Sequence, residues 1–173
     1  MNTTLSHFRP FIPAGGVGSR LWPLSRAHAP KFLLDLTDSG SSLLRETYDR
    51  LIDLSNGSLM VVTGVAHANA VTQQIPELRA ANLVLEPSPR DSAAAIGLAC
   101  AILHRREPDA IIGSFAADHV ISPVDEFQRV VIEAVETCPC RPCRLCRPCR
   151  PRLPVTWKDT VRHHAEQHRP HTL

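Results

Sequence analysis

Residues 14–31 read Ala14-Gly15-Gly16-Val17-Gly18-Ser19-Arg20-Leu21-Trp22-Pro23-Leu24-Ser25-Arg26-Ala27-His28-Ala29-Pro30-Lys31. Gly15, Gly16 and Gly18 permit positive φ and let backbone N–H groups come close to an anion. Arg20 adds a planar fork of donors and Lys31 a point charge, a combination suited to polyphosphate. Two familiar glycine motifs do not fit. A dinucleotide fingerprint runs straight into a helix, whereas Trp22-Pro23 follows here, and the Gly-Lys-Ser/Thr of a P-loop is absent. The bland alternative is a glycine-rich turn whose charges face water. Against it stands the length of the segment from Gly15 to about Ser42, over twenty residues without periodicity, which in a compact domain usually serves function.

Two further segments carry chemistry. Glu86-Pro87-Ser88-Pro89-Arg90-Asp91-Ser92-Ala93-Ala94-Ala95-Ile96-Gly97 opens a helix, and a helix N-terminus offers free N–H groups and a positive dipole end to a phosphate or a polar base edge. Simple capping by Asp91 and Ser92 explains the same residues. Phe115-Ala116-Ala117-Asp118-His119 follows an apolar run. A carboxylate there suits Mg²⁺, which takes one or two carboxylates plus phosphate oxygens, although an Asp that merely starts a turn looks the same. His119 reads as structural or supporting. Cys100, in an Ala-rich stretch, reads as a small core residue.

These segments need a frame to bring them together. Strands are expected at Phe8–Ala14, Ser58–Thr63, Asn82–Glu86 and Ala110–Phe115, the prolines at 10 and 13 being tolerable near strand ends. Helices are expected at Leu43–Leu54, where Leu44, Tyr48, Leu51 and Ile52 share a face, and at Ala66–Gln74, which stops before Pro76. Two more are expected at Asp91–Arg106, with Asp91 as N-cap, and at Ser122–Thr137, with Ser122 as cap and Pro123 at the first position. Alternating strands and helices predict an α/β domain with a mostly parallel sheet and right-handed crossovers. Ligands of such sheets gather beyond the C-terminal strand ends, here 15–31, 64–67, 86–92 and 116–119.

With these residues in view, the chain resembles the sugar-1-phosphate nucleotidyltransferases, whose signature is G-G-x-G-x-R-L-x-P-L followed by P-K. Its Leu21-Trp22-Pro23-Leu24-Ser25-Arg26 version is most similar to the mannose-1-phosphate guanylyltransferases. The Glu86–Ile96 block resembles that family's E-P-x-x-R-[N/D]-[T/S]-A-x-A-I element, and Ala117-Asp118-His119 its P-A-D-H motif. The resemblance implies a Rossmann-like nucleotidyltransferase domain that joins GTP and mannose 1-phosphate into GDP-mannose, releasing pyrophosphate, with Mg²⁺. It implies nucleotide contacts from Ala14, Gly15, Gly16, Gly18, Ser19, Arg20, Lys31, Glu86, Arg90 and Ser92. Arg20 and Lys31 would act on the phosphates, and Asp118 would hold the metal. The mechanism implied is in-line attack by a sugar-phosphate oxygen on the α-phosphorus without a covalent intermediate. Another sugar-1-phosphate nucleotidyltransferase, or a non-catalytic nucleotide-binding fragment, stays open as an alternative.

The resemblance covers about residues 8–137, and composition changes where it stops. Residues 1–137 carry 11 basic and 15 acidic side chains, residues 138–173 carry 8 and 2, and the latter hold five of the six cysteines and no glycine. Cys138, Cys140, Cys143, Cys146 and Cys149 lack the paired knuckles and structured insert of a zinc site. A disulfide framework is unexpected in a cytosolic chain. An irregular tail is expected, and a frameshift is one origin: codons such as TGC-CGC-CCG read one base forward encode Ala-Ala-Arg. The domain is therefore expected to be truncated, poorly stable and weakly active or inactive. No stretch approaches the ~18 apolar residues of a membrane span and no secretory signal is visible, so a cytoplasmic location is expected. Specific nucleic-acid readout is not expected, and the oligomeric state is left open, a homo-oligomer included.

Overall fold

Alternation along the central strands divides their apolar side chains between two faces. The computed structural model describes residues 3–16, 23–26, 30–88, 90–138 and 155–156. In strand β1 (Phe8–Ala14), Phe8, Ile12 and Ala14 enter one buried cluster while Phe11 enters another. Strand β2 (Met60–Gly64) repeats the pattern, with Val61 in the first cluster and Met60 and Val62 in the second. A strand apolar on both faces must be covered on both, and helices do so here.

The first face is covered by α1 (Leu43–Ile52), α2 (Ala68–Gln74) and α4 (Val124–Thr137). Helix α1 starts where the Ser42 hydroxyl accepts a hydrogen bond from the Arg45 amide at 3.2 Å, and it buries Leu44, Tyr48 and Leu51. Helix α4 presents Phe127, Val131 and Val135 at intervals of four, one stripe facing the sheet. The second face is covered by α3 (Asp91–Arg106), whose Ala95, Ala99 and Leu103 pack on Phe11, Met60 and Val62. Each fully buried Val, Leu, Ile or Phe contributes roughly 1.5–3 kcal/mol relative to exposure.

With β3 (Leu83–Glu86), β4 (Ile111–Ser114) and the two-residue β5 (Val155–Thr156), the sheet is wholly parallel in the order β3-β2-β1-β4-β5. The expected Rossmann-like α/β arrangement is thus present. Apart from Cys138 and β5, the expected irregular tail of residues 138–173 lies outside the described residues. In β4, a Cβ on Gly113 would stand 2.7 Å from the Phe115 ring and 2.9 Å from that of Phe8. The missing side chain is what lets those two rings meet edge to face, with centroids 6.3 Å apart.

Two helix starts differ from expectation. Arg90 occupies the cap position of α3 and makes no side-chain cap bond, while Asp91 is the first helical residue with φ +61°. Pro123 rather than Ser122 occupies the cap position of α4, following a cis Ser122–Pro123 bond. In both cases the sequence offers a capping side chain, but the backbone and the cap rule disagree by one residue.

Candidate functional site

The chain runs outward from β1 to β2 and β3, then returns to lay β4 on the other side of β1. That reversal opens a crevice between the segments leaving β1 and β4, the place where open α/β sheets hold ligands. A cleft of about 110 Å³ lies there, lined by Pro13, Gly15, Gly16, Lys31, Phe32, Ala117 and Asp118. It is smaller than the roughly 300–1,000 Å³ of whole small-molecule pockets. Residues 17–22, which follow Gly16 directly, lie outside the described residues.

Each lining residue is set by a buried neighbour. Ala14 is buried at the end of β1, and its carbonyl accepts a hydrogen bond from the Thr63 hydroxyl of β2 at 2.7 Å. The chain then bends outward at Gly15 and Gly16, the latter with φ +93°, a conformation that disfavours any residue with a Cβ. Lys31 begins a single 3₁₀ turn, Lys31–Leu33, held down by Phe32, which is buried and stacks edge to face on His67 with centroids 5.8 Å apart. With Phe32 fixed inward, Lys31 stands at the cleft.

Asp118 arrives from the other strand. Past β4, the Phe115 amide donates to the Phe11 carbonyl at 3.0 Å, and the Phe115 ring packs on Phe8 and Phe127. Ala117 is buried, and Asp118 follows in a turn facing the glycines. Lys31 Nζ donates to Asp118 Oδ2 at 3.2 Å across 87 residues of sequence. Both side chains are partly open to solvent, at 34% and 42%. A cation and a carboxylate meeting beside exposed backbone N–H groups can share a phosphate and a divalent cation between them.

Glu86, the last residue of β3, is buried, with Oε2 4.0 Å from where a Cβ on Gly15 would stand. The structure therefore brings Ala14, Gly15, Gly16, Lys31, Glu86 and Asp118 to one end of the sheet. Arg90 and Ser92 are exposed around the start of α3 and do not line the cleft. Gly18, Ser19 and Arg20 lie outside the described residues. Sequence reasoning passed over Phe32 and Thr63, which orient Lys31 and Ala14. The one local hint is the short apolar run Phe32-Leu33-Leu34 directly after Lys31. Among the described residues no group of three or more His, Cys, Asp or Glu side chains is placed to hold a metal. A lone carboxylate still fits Mg²⁺, which keeps several waters and draws other ligands from phosphate.

Comparisons with known proteins agree with this geometry. Residues 9–139 match the nucleotidyl transferase family model. The chain is 41% identical over 133 residues to a mannose-1-phosphate guanylyltransferase of Salmonella typhimurium strain LT2, covering 75% of this chain and 28% of that protein. It is 38% identical over 134 residues to one from Escherichia coli K12, with the same two coverages. A crystal structure from Thermus thermophilus, described as a mannose-1-phosphate geranyltransferase, superposes with a TM-score of 0.66 at 30% identity, covering 77% of this chain and 38% of that one. The chain thus spans little more than a quarter of the length of the curated relatives it matches. The match takes in β1 from Arg9 onward, β2 to β4 and every residue lining the cleft, and the chain belongs to the nucleotidyl transferase family.

Proposed function

We propose that the cleft at the ends of β1 and β4 holds the triphosphate of GTP, and that the reaction it serves joins GTP to mannose 1-phosphate, giving GDP-mannose and pyrophosphate. The observation that carries this reading is the Lys31–Asp118 contact beside the Gly15–Gly16 bend, at the point where strand order reverses. The names of the guanylyltransferase relatives supply the nucleotide and the sugar.

In this reading Gly15 and Gly16 turn backbone N–H groups toward phosphate oxygens, and Gly18 and Ser19 are further nucleotide contacts by family resemblance. Lys31 and Arg20 offset the charge of the phosphates and of the departing pyrophosphate. Glu86, Arg90 and Ser92 lie toward the nucleoside. An oxygen of the sugar phosphate attacks the α-phosphorus in line; the new O–P bond forms as the bond from the α-phosphorus to the bridging oxygen breaks, and that oxygen leaves with pyrophosphate. The protein supplies position and charge, and no side chain carries the nucleotidyl group as a covalent intermediate. Asp118 would hold Mg²⁺, which when bound neutralises phosphate charge. The site of action is cytoplasmic in this reading, in keeping with the lack, among the described residues, of a helix long and apolar enough to cross a membrane.

The test is product formation by the full chain from mannose 1-phosphate with GTP, ATP, dTTP or UTP in turn. The proposal expects more nucleoside-diphosphate mannose from GTP than from the other three, at the low rate expected of a chain that spans little more than a quarter of its relatives. Preference for a different nucleotide would overturn it in favour of another sugar-1-phosphate nucleotidyltransferase, and GTP binding without product would favour a non-catalytic nucleotide-binding role.

A further inference from the structure

Arg50, on α1, is only 5% exposed, yet among the described residues no carboxylate forms an ion pair with it. Its Nη2 donates at 2.8 Å to the Thr47 hydroxyl and at 2.8 Å to the backbone carbonyl of His119. Its guanidinium carbon lies 5.8 Å from the centroid of the Phe127 ring, and its Nε is buried without a hydrogen-bond partner. Burial pushes this guanidinium below the usual arginine range, with Glu46 acting weakly the other way, but an arginine keeps its charge inside a protein.

An unpaired buried charge is costly, and an apolar side chain of similar volume would fill the same space more cheaply. What an apolar chain cannot do is grip the carbonyl one residue beyond Asp118. The grip is itself anchored: Gln128 of α4 donates from Nε2 to the Arg50 carbonyl at 2.9 Å, which ties α1 to α4 at this point. We infer that Arg50 is a positioning residue that fixes the Ala117–His119 turn from below, so that Asp118 stays against Lys31 in the cleft. It touches no proposed substrate atom and acts through the backbone that carries Asp118. The binding part of the test rests on the nucleotide reading above; the exchange part does not.

The experiment compares the full chain with Arg50→Met and Arg50→Lys. Lysine keeps a charge, and its ammonium can donate to both Thr47 and His119 as Nη2 does, but it lacks the planar guanidinium that fixes the direction of those donors. In the ligand-free protein, amide hydrogen exchange in peptides covering 115–121 should speed up about tenfold or more in Arg50→Met and less in Arg50→Lys, with α3 peptides unchanged. Uniform acceleration along the chain, or none, would overturn the inference. Magnesium-GTP affinity is then measured for Arg50→Met with and without Asp118→Asn. Arg50→Met alone should weaken binding about tenfold, and less than about twofold once Asp118 is Asn, because residues acting through one another are not additive. Equal losses in both backgrounds would overturn the inference. If Arg50→Met does not fold, Arg50→Lys carries both readouts. If the unaltered chain does not bind magnesium-GTP, the nucleotide reading falls while exchange still decides the role of Arg50.

Discussion

Replacing Lys31 by Met separates a residue that serves the fold from one that serves a ligand. Two unit charges 3.2 Å apart attract by about 1.3 kcal/mol in water, from 332/(80 × 3.2). Both partners are about a third or more exposed, and ordering two flexible side chains opposes the attraction, so the pair should contribute roughly 0–1 kcal/mol to stability. Met keeps the apolar stem of the side chain, so little packing is lost. A phosphate in the cleft would instead lose a charge-assisted hydrogen bond worth about 1.5–3 kcal/mol, or about one to two orders of magnitude in affinity. The assays are urea unfolding, where the midpoint should move by less than about 0.5 M for a slope of about 2 kcal/mol/M, and magnesium-GTP titration. A large drop in midpoint with unchanged affinity would refute the reasoning, because Lys31 would then be holding the chain together rather than awaiting an anion.

Further outcomes concern the framework. Gly113→Ala puts a methyl group 2.7–3.0 Å from ring atoms of Phe115 and Phe8, so it should destabilise by about 1–3 kcal/mol in urea unfolding; shortening Phe8 to Leu in the same chain should recover part of the loss. An unchanged midpoint would show that the rings are not confined. Gly16→Ala forces a Cβ into φ +93° and should cost about 1–2 kcal/mol of stability, as well as weakening magnesium-GTP binding. Thr63→Val removes the hydroxyl that donates to the Ala14 carbonyl and should cost about 0.5–1.5 kcal/mol by thermal or urea unfolding.

The parts of the fold that could be read from sequence are those whose cause is local. Val61 and Val62 lie in an apolar run too short for a helix, and Leu44, Tyr48 and Leu51 recur at helical spacing, so β2 and α1 emerge where the pattern predicts. The rule that ligands meet strand ends pointed to the loops carrying Lys31 and Asp118. No local pattern, however, states that side chains 87 residues apart come within 3.2 Å; that follows from β4 lying beside β1. Arg50 was illegible for the same reason. It looks like a polar residue on an amphipathic helix, and its burial depends on Phe127 and His119, both distant in sequence. Asp91 and Ser122 are expected as caps from residue type and spacing, but capping depends on the φ and ψ of the turn, and there the backbone differs. Glu86 meets the glycine bend from the end of a strand, as the strand-end rule suggests, whereas Arg90 and Ser92, in the same block, are exposed and do not line the cleft.

Calorimetric titration of the full chain with GTP, in magnesium and then in excess chelator, tests the central claim most directly. The account predicts saturable binding of one nucleotide per chain in magnesium, clearly weakened by the chelator, and a difference between the two conditions that disappears in Asp118→Asn. No saturable binding of GTP by a folded chain in either condition would contradict it.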